Sequence, residues 1–535
     1  MFRNTYTRLR PFAVCCRLIW VCPLLLALVP LLFLVACVAP SSPPPDLSPT
    51  LSPTSTPSAT VPILTPASTP IPPTPVPTLT PTPVPLPEVC LRQKFAGDVD
   101  ACRTASAYDI RLVVDPTSAS VTGQQEVRYI NAEDQPLSDL YLRLFPNTPA
   151  YGGAMTVTHL LLNGAPISPL VELEGSALRL PLEPPLDVGR MLRLSMAFTV
   201  EVPTTGAVGH GLFSYARGVM ALPTVYPIIP VYDDQGWNVE IAPTHGDDIY
   251  TDISSYDVQV TAPSNMTLIA SGACLPSIEG VWSCNAGPMR DFVLILGERY
   301  QRAGQLVNGV VVNSYFYPEH ESAGRRALEV AADALVAFTD LFGEYPYAEL
   351  DVVETPNRLG GMEYPGLVVV EDRLYSGGGQ LEWLVAHEVA HQWWFGVVGS
   401  DQVDTPWLDE ALTQYSTILY YEQIYGADRA SAILQGFIQT YQNLVRAGRD
   451  KPVGLSAASY DPGLYWDVVY RKGSLYFHAL REAMGDEAFF DTLHAYYQRH
   501  RYRVATSESF LATVEDVAGD RYMSLYQQWI LGDSG

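Results

Sequence analysis

Basic residues are scarce in this chain, and their scarcity argues against one large class of function. Lys and Arg number 32 against 57 Asp and Glu, so the formal net charge at pH 7 is -25. Nucleic-acid binding depends on clustered Lys and Arg that neutralise phosphates, and an acidic surplus opposes it. We therefore expect no nucleic-acid partner, and we attribute the negative balance to solubility.

Cysteine is also sparse, and its spacing argues against a cysteine-rich zinc cluster. Four of the eight cysteines, Cys15, Cys16, Cys22 and Cys37, lie within the first 37 residues, and the remaining four are Cys90, Cys102, Cys274 and Cys284. None of these four belongs to a CxxC pair, and no nearby histidines complete a site. We expect two disulfides, Cys90–Cys102 and Cys274–Cys284, although four cysteines permit three connectivities.

The N-terminus has the pattern of a targeting segment. Four arginines precede an apolar run over residues 18–36, as in a signal peptide. The run ends in Leu34-Val35-Ala36-Cys37, which resembles a bacterial lipobox whose cysteine is lipidated. We therefore predict a signal peptide over residues 1–37 and an extracytoplasmic protein that is anchored to the cell membrane by lipid. An uncleaved signal anchor is the alternative, since the run could just span a bilayer.

A spacer follows this segment. Residues 38–88 are rich in Pro, Ser and Thr, and between residues 40 and 87 Asp46 carries the only charge. Such a segment cannot form a core, and as a polyproline-like chain it would reach on the order of 150 Å at most. We predict a semi-rigid linker.

The remaining chain is long enough for two folded domains. Between residues 108 and 317, short apolar runs alternate with turn signals, which predicts an antiparallel β domain over residues 89–317. The predicted strands are 108–114, 124–130, 137–144, 178–180, 191–202, 256–262 and 291–297. From residue 318 to 535 the pattern is mainly helical, beginning with a helix over 323–342, with short strands at 350–353 and 367–370.

The motif HExxH carries the strongest functional signal. It lies within residues 384–394, in a helical pattern free of Gly and Pro. On a helix, His387 and His391 are about one turn apart, so both imidazoles can bind one metal ion while Glu388 faces the metal's water. The chain has nine histidines, and we estimate the odds of a chance match at about one in a hundred.

A catalytic zinc needs three protein ligands and an open position, and Glu410 is the candidate for the third. It follows His391 by 19 positions, shortly after Thr405 and Pro406, which have the pattern of an N-cap and a first helical residue. The metzincin alternative requires a glycine and a third histidine soon after the motif, but the next histidine is His478.

These residues resemble a known family. The segments HEVAHQWWFG and WLDEALTQY are similar to those of the gluzincin zinc metallopeptidases of the aminopeptidase N and leukotriene hydrolase family. Upstream, the GGMEY of residues 360–364 is similar to the family's GxMEN motif, with Tyr364 in place of the usual Asn. Downstream, the YRKG of residues 470–473 is similar to its YxKG segment. The resemblance extends over residues 108–535 in arrangement.

The resemblance implies a multidomain α+β fold, in which a saddle-like antiparallel β domain precedes a thermolysin-like, mainly helical α/β catalytic domain. It implies one Zn²⁺ per chain, bound by His387, His391 and Glu410. Glu388 would then be the general base, and Tyr470 would donate a hydrogen bond to the oxyanion.

The resemblance also implies a substrate-binding segment formed by Gly360, Gly361, Met362 and Glu363. Glu363, on an edge strand, would pair with the protonated N-terminus of a peptide, and the glycines would let a peptide backbone lie close enough to add as a strand. The alternative for Glu363 is an ordinary solvated acid. The family has a second Gln or Glu from the β domain at this subsite, and residues 214–225 offer neither.

We therefore predict a zinc metallopeptidase, specifically an aminopeptidase that removes N-terminal residues from peptides outside the cell. One alternative is a zinc endopeptidase or another hydrolase without N-terminal selectivity. The other is a non-catalytic peptide-binding surface lipoprotein. The sequence indicates neither a side-chain preference nor an oligomeric state.

Overall fold

The computed structural model describes residues 90–204, 209–377 and 379–532. The predicted signal peptide, lipobox and linker, over residues 1–88, lie outside the described residues. Among the helices of the described ranges, none combines the length and the apolar character needed to span a bilayer.

Short strands fill the first half of the described chain, and all seven strands predicted there overlap observed ones. The strands are β1 (Ser106–Asp115), β2 (Ser120–Ile130), β3 (Leu137–Arg143), β4 (Ala154–Leu162), β5 (Ala165–Pro166), β6 (Leu170–Glu172), β7 (Ala177–Leu186), β8 (Met191–Glu201), β9 (Ser214–Ala216), β10 (Val219–Leu222), β11 (Tyr232–Asp233), β12 (Gly236–Trp237), β13 (Ser254–Thr261), β14 (Thr267–Ala270), β15 (Ala273–Ile278), β16 (Val281–Met289) and β17 (Leu294–Gly297).

Most of these strands form one eight-stranded sheet in the order β15-β16-β13-β1-β2-β8-β4-β5. Its pairs are antiparallel except for β1 with β13, which run parallel. The remaining strands form a four-stranded sheet, β14-β17-β10-β9, a three-stranded sheet, β3-β7-β6, and the β11-β12 pair. Alternate residues of β8, from Leu192 to Val200, are buried, as expected for a sheet with one face on the core.

A second, mixed sheet begins before residue 318. It is built from β18 (Gln301–Val307), β19 (Val310–Phe316), β20 (Glu349–Thr355), β21 (Gly361–Met362) and β22 (Leu367–Glu371), in the order β18-β19-β20-β22-β21. The β18-β19 hairpin turns at Asn308 and Gly309, whose φ angles of 51° and 82° suit a two-residue hairpin loop. Because β19 pairs with β20 in parallel, the sheet extends across the predicted domain boundary.

The C-terminal half is mainly helical. Its helices are α1 (Glu321–Phe342), α2 (Asp372–Tyr375), α3 (Leu381–Ala390), α4 (Glu410–Tyr425), α5 (Ala427–Arg446), α6 (Pro462–Tyr465), α7 (Gly473–Met484), α8 (Asp486–His500), α9 (Ser507–Ala518) and α10 (Met523–Tyr526). A π-helical segment, Trp466–Lys472, joins α6 to α7, another covers Gln527–Leu531, and β23 (Val398–Gly399) pairs with β24 (Arg503–Val504). The predicted α+β fold class is confirmed.

The structure corrects the predicted start of the helix that carries Glu410. A 3-10 turn, Pro406–Leu408, precedes α4, and α4 itself begins at Glu410. Thr405 and Pro406 are the N-cap and the first residue of this 3-10 turn rather than of α4, and the Thr405 hydroxyl donates to the carbonyl of Asp401 at 2.9 Å instead of capping the turn. The carbonyl is within reach because the chain turns tightly between these two residues, and sequence spacing alone does not reveal such a turn.

One predicted disulfide is confirmed and the other is wrong. Cys274 and Cys284 face each other on β15 and β16 and are bonded. Cys90 and Cys102 are both buried free thiols. The carbonyl of Cys90 accepts a hydrogen bond from the amide of Ala348, and Cys102 lies in a 3-10 helix. The positions of the two cysteines therefore depend on these contacts and not on their spacing of 12 residues. Burial raises the pKa of each thiol to about 12.

Candidate metal centre and substrate cavity

The HExxH motif lies at the C-terminal end of α3. His387 is in the last turn of this helix, and His391 is the first residue after it. The helix is buried because its sequence is apolar around most of its circumference, and both histidines are less than 10% exposed. The next long helix, α4, packs against it, and the Trp394 indole donates to the Ser416 hydroxyl at 2.9 Å, which joins the two segments. This packing brings Glu410 to the histidines.

His387, His391 and Glu410 present three converging ligand atoms. The two Nε2 atoms are 3.3 Å apart, and each lies 3.4 Å from Glu410 Oε2. For zinc bound at about 2.0–2.1 Å, tetrahedral donors lie about 3.3–3.4 Å from one another. Glu410 Oε2 is buried and has no hydrogen-bond partner among the described residues. The predicted ligand set therefore fits one tetrahedral zinc ion with a fourth position free for water or substrate.

The outer nitrogens of both histidines are also occupied. His391 Nδ1 lies 2.5 Å from Asp409 Oδ1, and His387 Nδ1 lies 3.4 Å from the Thr417 hydroxyl. Such contacts orient an imidazole and leave its other nitrogen for the metal. Burial alone would lower the pKa of His391, but Asp409 and Glu363 raise it well above the usual value. Sequence reasoning missed Asp409, although its place directly before the third ligand was a usable signal.

Glu388 lies beside the ligand set and against Gly361. It is 4% exposed, and a Cβ at position 361 would lie 2.2 Å from Glu388 Oε1. The glycine therefore makes room for the carboxylate of Glu388, in addition to the role predicted for it in substrate approach. Burial and then the charge of Glu363 raise the pKa of Glu388 well above its usual range, which favours proton uptake by this carboxylate.

Glu363 was predicted on an edge strand, and the structure places it directly after β21, a strand at one edge of the mixed sheet. It is only 5% exposed, so the alternative of a solvated acid is wrong. Gln402 Nε2 donates to Glu363 Oε1 at 3.2 Å, and Gln392 Nε2 donates to the carbonyl of Tyr364 at 3.2 Å. Burial raises the pKa of Glu363 to about 7, and the nearby carboxylates of Asp409 and Glu410 act in the same direction.

Both parts of the chain line the cavity above these residues. It has a volume of about 440 Å³ and is lined by the predicted residues Gly361, Met362 and Glu363. Gly360 is not among its lining residues and has a φ of 110°. The β region contributes a loop with Asp247 and Asp248, which sequence reasoning did not find. Desolvation, followed by the charges of Glu363 and Glu410, raises the pKa of Asp247 well above its usual value. No sequence motif marks this loop, because only tertiary packing brings it to the site.

Tyr470 reaches the centre from the π-helical segment. Its hydroxyl donates to Glu410 Oε1, and its ring stacks on His387 with centroids 5.9 Å apart. The rest of the YRKG motif supports this position. Lys472, 3% exposed, binds Asp450 at 2.6 Å, and a Cβ on Gly473 would lie 2.5 Å from that of Ala411. Gly473 therefore permits close packing on α4, next to the third ligand.

A HExxH helix, a glutamate ligand from the following helix and a tyrosine beside them define the gluzincin class of zinc metallopeptidase site. Comparison with known families narrows this class. Residues 326–529 match the peptidase family M1 domain. This stretch contains the three metal ligands, Glu388 and Tyr470, so the match supports a zinc metallopeptidase of the aminopeptidase N type.

Similar proteins agree with this assignment. Aminopeptidase N of Lactococcus lactis subsp. lactis is 26% identical over 292 residues, which cover 50% of this chain and 34% of that protein. Human aminopeptidase B is 28% identical over 195 residues, covering 34% of this chain and 29% of that protein. The chain therefore spans about a third of the length of these curated relatives.

Solved structures share the fold over a larger part of the chain. The M1 zinc metallopeptidase from Deinococcus radiodurans has a TM-score of 0.59 and 20% identity, covering 80% of this chain and 94% of that one. An E323A mutant of the M1 zinc metallopeptidase from the same organism, solved with a Tyr-Ser-Ala substrate, has a TM-score of 0.58, with the same identity and 79% of this chain covered. At this identity, the likeness shows a common fold.

Proposed function

We propose that this protein is an extracytoplasmic aminopeptidase that removes N-terminal residues from peptides. The observation that carries the proposal is the place of Glu363. This carboxylate is buried in the same cavity as Glu388 and the ligand set, and among the described residues it forms no ion pair with Lys or Arg. A buried carboxylate without a Lys or Arg partner is costly, and His391 is taken up by the metal site, so the cavity favours a ligand that brings a positive charge.

The protonated N-terminus of a peptide supplies that charge. The charge of Glu363 raises the pKa of Asp247, so the two carboxylates repel each other, and an ammonium group near both would relieve this repulsion. With the amine held at this end of the cavity, the first peptide bond is the one that lies nearest the metal ligands. Selectivity for the N-terminal residue then follows from the position of the anchor.

Three groups of residues would have separate roles in hydrolysis of the peptide bond. When bound by His387, His391 and Glu410, zinc supplies a Lewis acid that polarises the scissile carbonyl and acidifies water. Glu388 takes the proton of the attacking water and delivers it to the leaving amine. Tyr470 donates its hydroxyl hydrogen bond to the oxygen that gains charge as the carbonyl is attacked.

Substrate orientation is the proposed role of the edge strand. Gly361 and Met362 form β21, which pairs on one side with β22 and ends the sheet on the other. An extended peptide can add to such an edge through main-chain hydrogen bonds. The names of the relatives, both aminopeptidases, and the tripeptide bound to the Deinococcus enzyme support a short peptide as substrate.

A peptide library tests the proposal. The soluble part, from about residue 89, is incubated with matched free-amine and N-acetylated peptides, with and without a chelator, and the products are read by mass spectrometry. Stepwise loss of N-terminal residues from the free-amine set, abolished by chelation, is the expected result. Equal cleavage of both sets would favour an endopeptidase, and zinc binding without turnover would favour a peptide-binding protein.

Membrane attachment is a separate part of the proposal. It is supported by the arginine-rich start, the apolar run and the Leu34-Val35-Ala36-Cys37 sequence. Metabolic labelling with a fatty acid in a bacterial host should label the wild-type chain and fail to label Cys37→Ser. A chain that stays in the membrane without label in both forms would instead indicate a signal anchor.

A further inference from the structure

We infer that Gln402 is a positioning residue that couples the proposed amine-binding carboxylate to the metal centre. The inference rests on the proposed role of Glu363. Gln402 Nε2 donates to Glu363 Oε1 at 3.2 Å and to Asp409 Oδ2 at 2.8 Å. The other oxygen of Asp409 lies 2.5 Å from His391 Nδ1. One amide group thus joins the substrate anchor to the residue that orients a metal ligand.

The orientation of this amide follows from its surroundings. A side-chain amide has two N–H donors on nitrogen and none on oxygen. Reversing Gln402 would point its carbonyl oxygen at two carboxylate oxygens, which have no hydrogen to donate, so both contacts would be lost. The two N–H groups therefore face Glu363 and Asp409, and this assignment uses both donors.

Hydrogen bonds hold the backbone around Gln402, so its side chain can keep Glu363 and Asp409 at a fixed distance from each other. Gln402 is 2% exposed and follows β23. The carboxylate of Asp401 accepts hydrogen bonds from the amides of Val403 and Asp404, each at 2.9 Å, which closes a tight turn around the glutamine. A buried side chain on a closed turn has few alternative positions.

The negative charges of Glu363 and Asp409 explain why a shared hydrogen-bond donor is needed between them. The charge of Asp409 raises the pKa of Glu363, so the two carboxylates repel each other. An amide donor shared by both offsets this repulsion and keeps them close to each other. Without it, Glu363 would move away from the amine position, and Asp409 would hold His391 less firmly. Gln402 therefore fixes the distance between the amine anchor and the metal, and so fixes which peptide bond reaches the reactive centre.

Gln402→Leu tests the coupling, since it removes the amide and leaves an apolar side chain that is one atom shorter. We expect zinc affinity, measured by competition with a chromogenic chelator, to fall by about 10-fold, the low end of the cost of losing an outer partner of a metal ligand. We also expect KM for free-amine peptides to rise by about 10-fold, because a hydrogen bond to a charged anchor is lost. Gln402→Met gives the same test if the leucine variant does not fold.

Gln125→Leu is the matched control. Gln125 is a buried glutamine of the β region, 3% exposed, whose Nε2 donates to the carbonyl of Pro227 at 2.7 Å. This variant should change thermal stability and leave zinc affinity and KM as in the wild type. A control that reproduced the Gln402→Leu pattern would reduce the role of Gln402 to general packing.

A double-mutant cycle separates this inference from the proposed function. In a Glu363→Ala background, Gln402→Leu should no longer raise KM but should still weaken zinc binding. A wild-type zinc affinity in Gln402→Leu, or an undiminished KM effect in the Glu363→Ala background, would overturn the coupling. If free-amine and N-acetylated peptides were cleaved equally by the wild type, the aminopeptidase proposal would fail, while the zinc measurement would still report on the link from Gln402 through Asp409.

Discussion

The hydroxyl of Tyr470 donates to Glu410 Oε1, the oxygen next to the one that lies 3.4 Å from both histidines. The tyrosine is therefore at the edge of the metal site before any substrate is present. Burial, and then the charge of Glu410, raises the pKa of Tyr470 well above its usual value, so its hydroxyl keeps its proton at every working pH. A protonated hydroxyl at this position is suited to donate to an oxygen that gains charge during the reaction.

Tyr470→Phe should lower kcat by about 10² to 10³, the cost of removing other oxyanion donors. KM should change little, because the lost hydrogen bond stabilises the transition state more than the bound substrate. Steady-state kinetics at saturating zinc, with zinc content measured in parallel, gives both values. Tyr465→Phe is a matched control, since Tyr465 is a fully buried neighbour whose hydroxyl has no partner among the described residues. A near-normal kcat in Tyr470→Phe would show that this residue is only packed against the site.

Glu388→Gln should retain zinc and lose hydrolysis. The three ligands are untouched, and the amide fills the same space against Gly361 but cannot take up a proton. Zinc content by metal analysis and turnover of a free-amine peptide are the measurements. Glu382→Gln, on the same helix, contacts Tyr420 and Tyr425 rather than the site and should retain activity. Loss of zinc in Glu388→Gln would contradict the role given to Glu388.

Glu363→Ala should raise KM and lower kcat for free-amine peptides and spare any activity on N-acetylated ones. The carboxylate that would hold the ammonium is gone, whereas the metal ligands remain. Asp247→Asn should have a smaller effect in the same direction, because Asp247 adds negative charge to the same cavity. Paired kinetics on matched free and acetylated peptides provide the comparison. Equal losses on both substrates would mean that Glu363 serves the structure alone.

Thiol titration checks the cysteine pairing. The denatured, unreduced soluble part should contain two free thiols, Cys90 and Cys102, and four after reduction of the Cys274–Cys284 bond. In the native state both thiols should react slowly, because burial raises the pKa of each to about 12. If titration before reduction detects no thiol, the four cysteines form two bonds, as their spacing had predicted.

The buried carboxylate of Glu354, which contacts the partly exposed His320, predicts a pH dependence of stability. Burial raises the pKa of Glu354 to about 7 from an ordinary 4.5, and the charge of Asp372 acts in the same direction. The contacts of Tyr317 N–H and His320 Nδ1 with its two oxygens, at 2.9 and 2.5 Å, offset only part of this rise. Because the folded pKa is raised, this group contributes full stability below pH 4.5 and loses it as pH rises through 7. Glu354→Gln keeps an acceptor for Tyr317 and cannot ionise.

The Tm of the wild type should therefore fall relative to that of Glu354→Gln as pH rises from 5 to 8. Thermal melting of both proteins in parallel buffers measures the difference. Parallel Tm curves would show that the carboxylate does not titrate in this range. A wild-type Tm that rose relative to that of the variant over this range would contradict a raised pKa for Glu354.

The sequence alone determined the local chemistry of this protein. The HExxH motif on a helix fixes the relative positions of His387, Glu388 and His391, because residues four apart lie on the same face of an α-helix. Alternating burial in strands and the Asn308-Gly309 turn were predictable for the same reason, since both depend on neighbouring residues. The family motifs added Glu410, Glu363 and Tyr470, which lie apart in the chain.

Tertiary structure alone decided which distant groups share the site and which do not. It brought Gln402 between Glu363 and Asp409, placed Asp247 of the β region in the cavity, and kept Cys90 and Cys102 as buried thiols. No periodicity or spacing encodes these outcomes. They depend on how two helices, a sheet edge and a loop pack together, and that packing is set by the burial of whole surfaces rather than by any short segment.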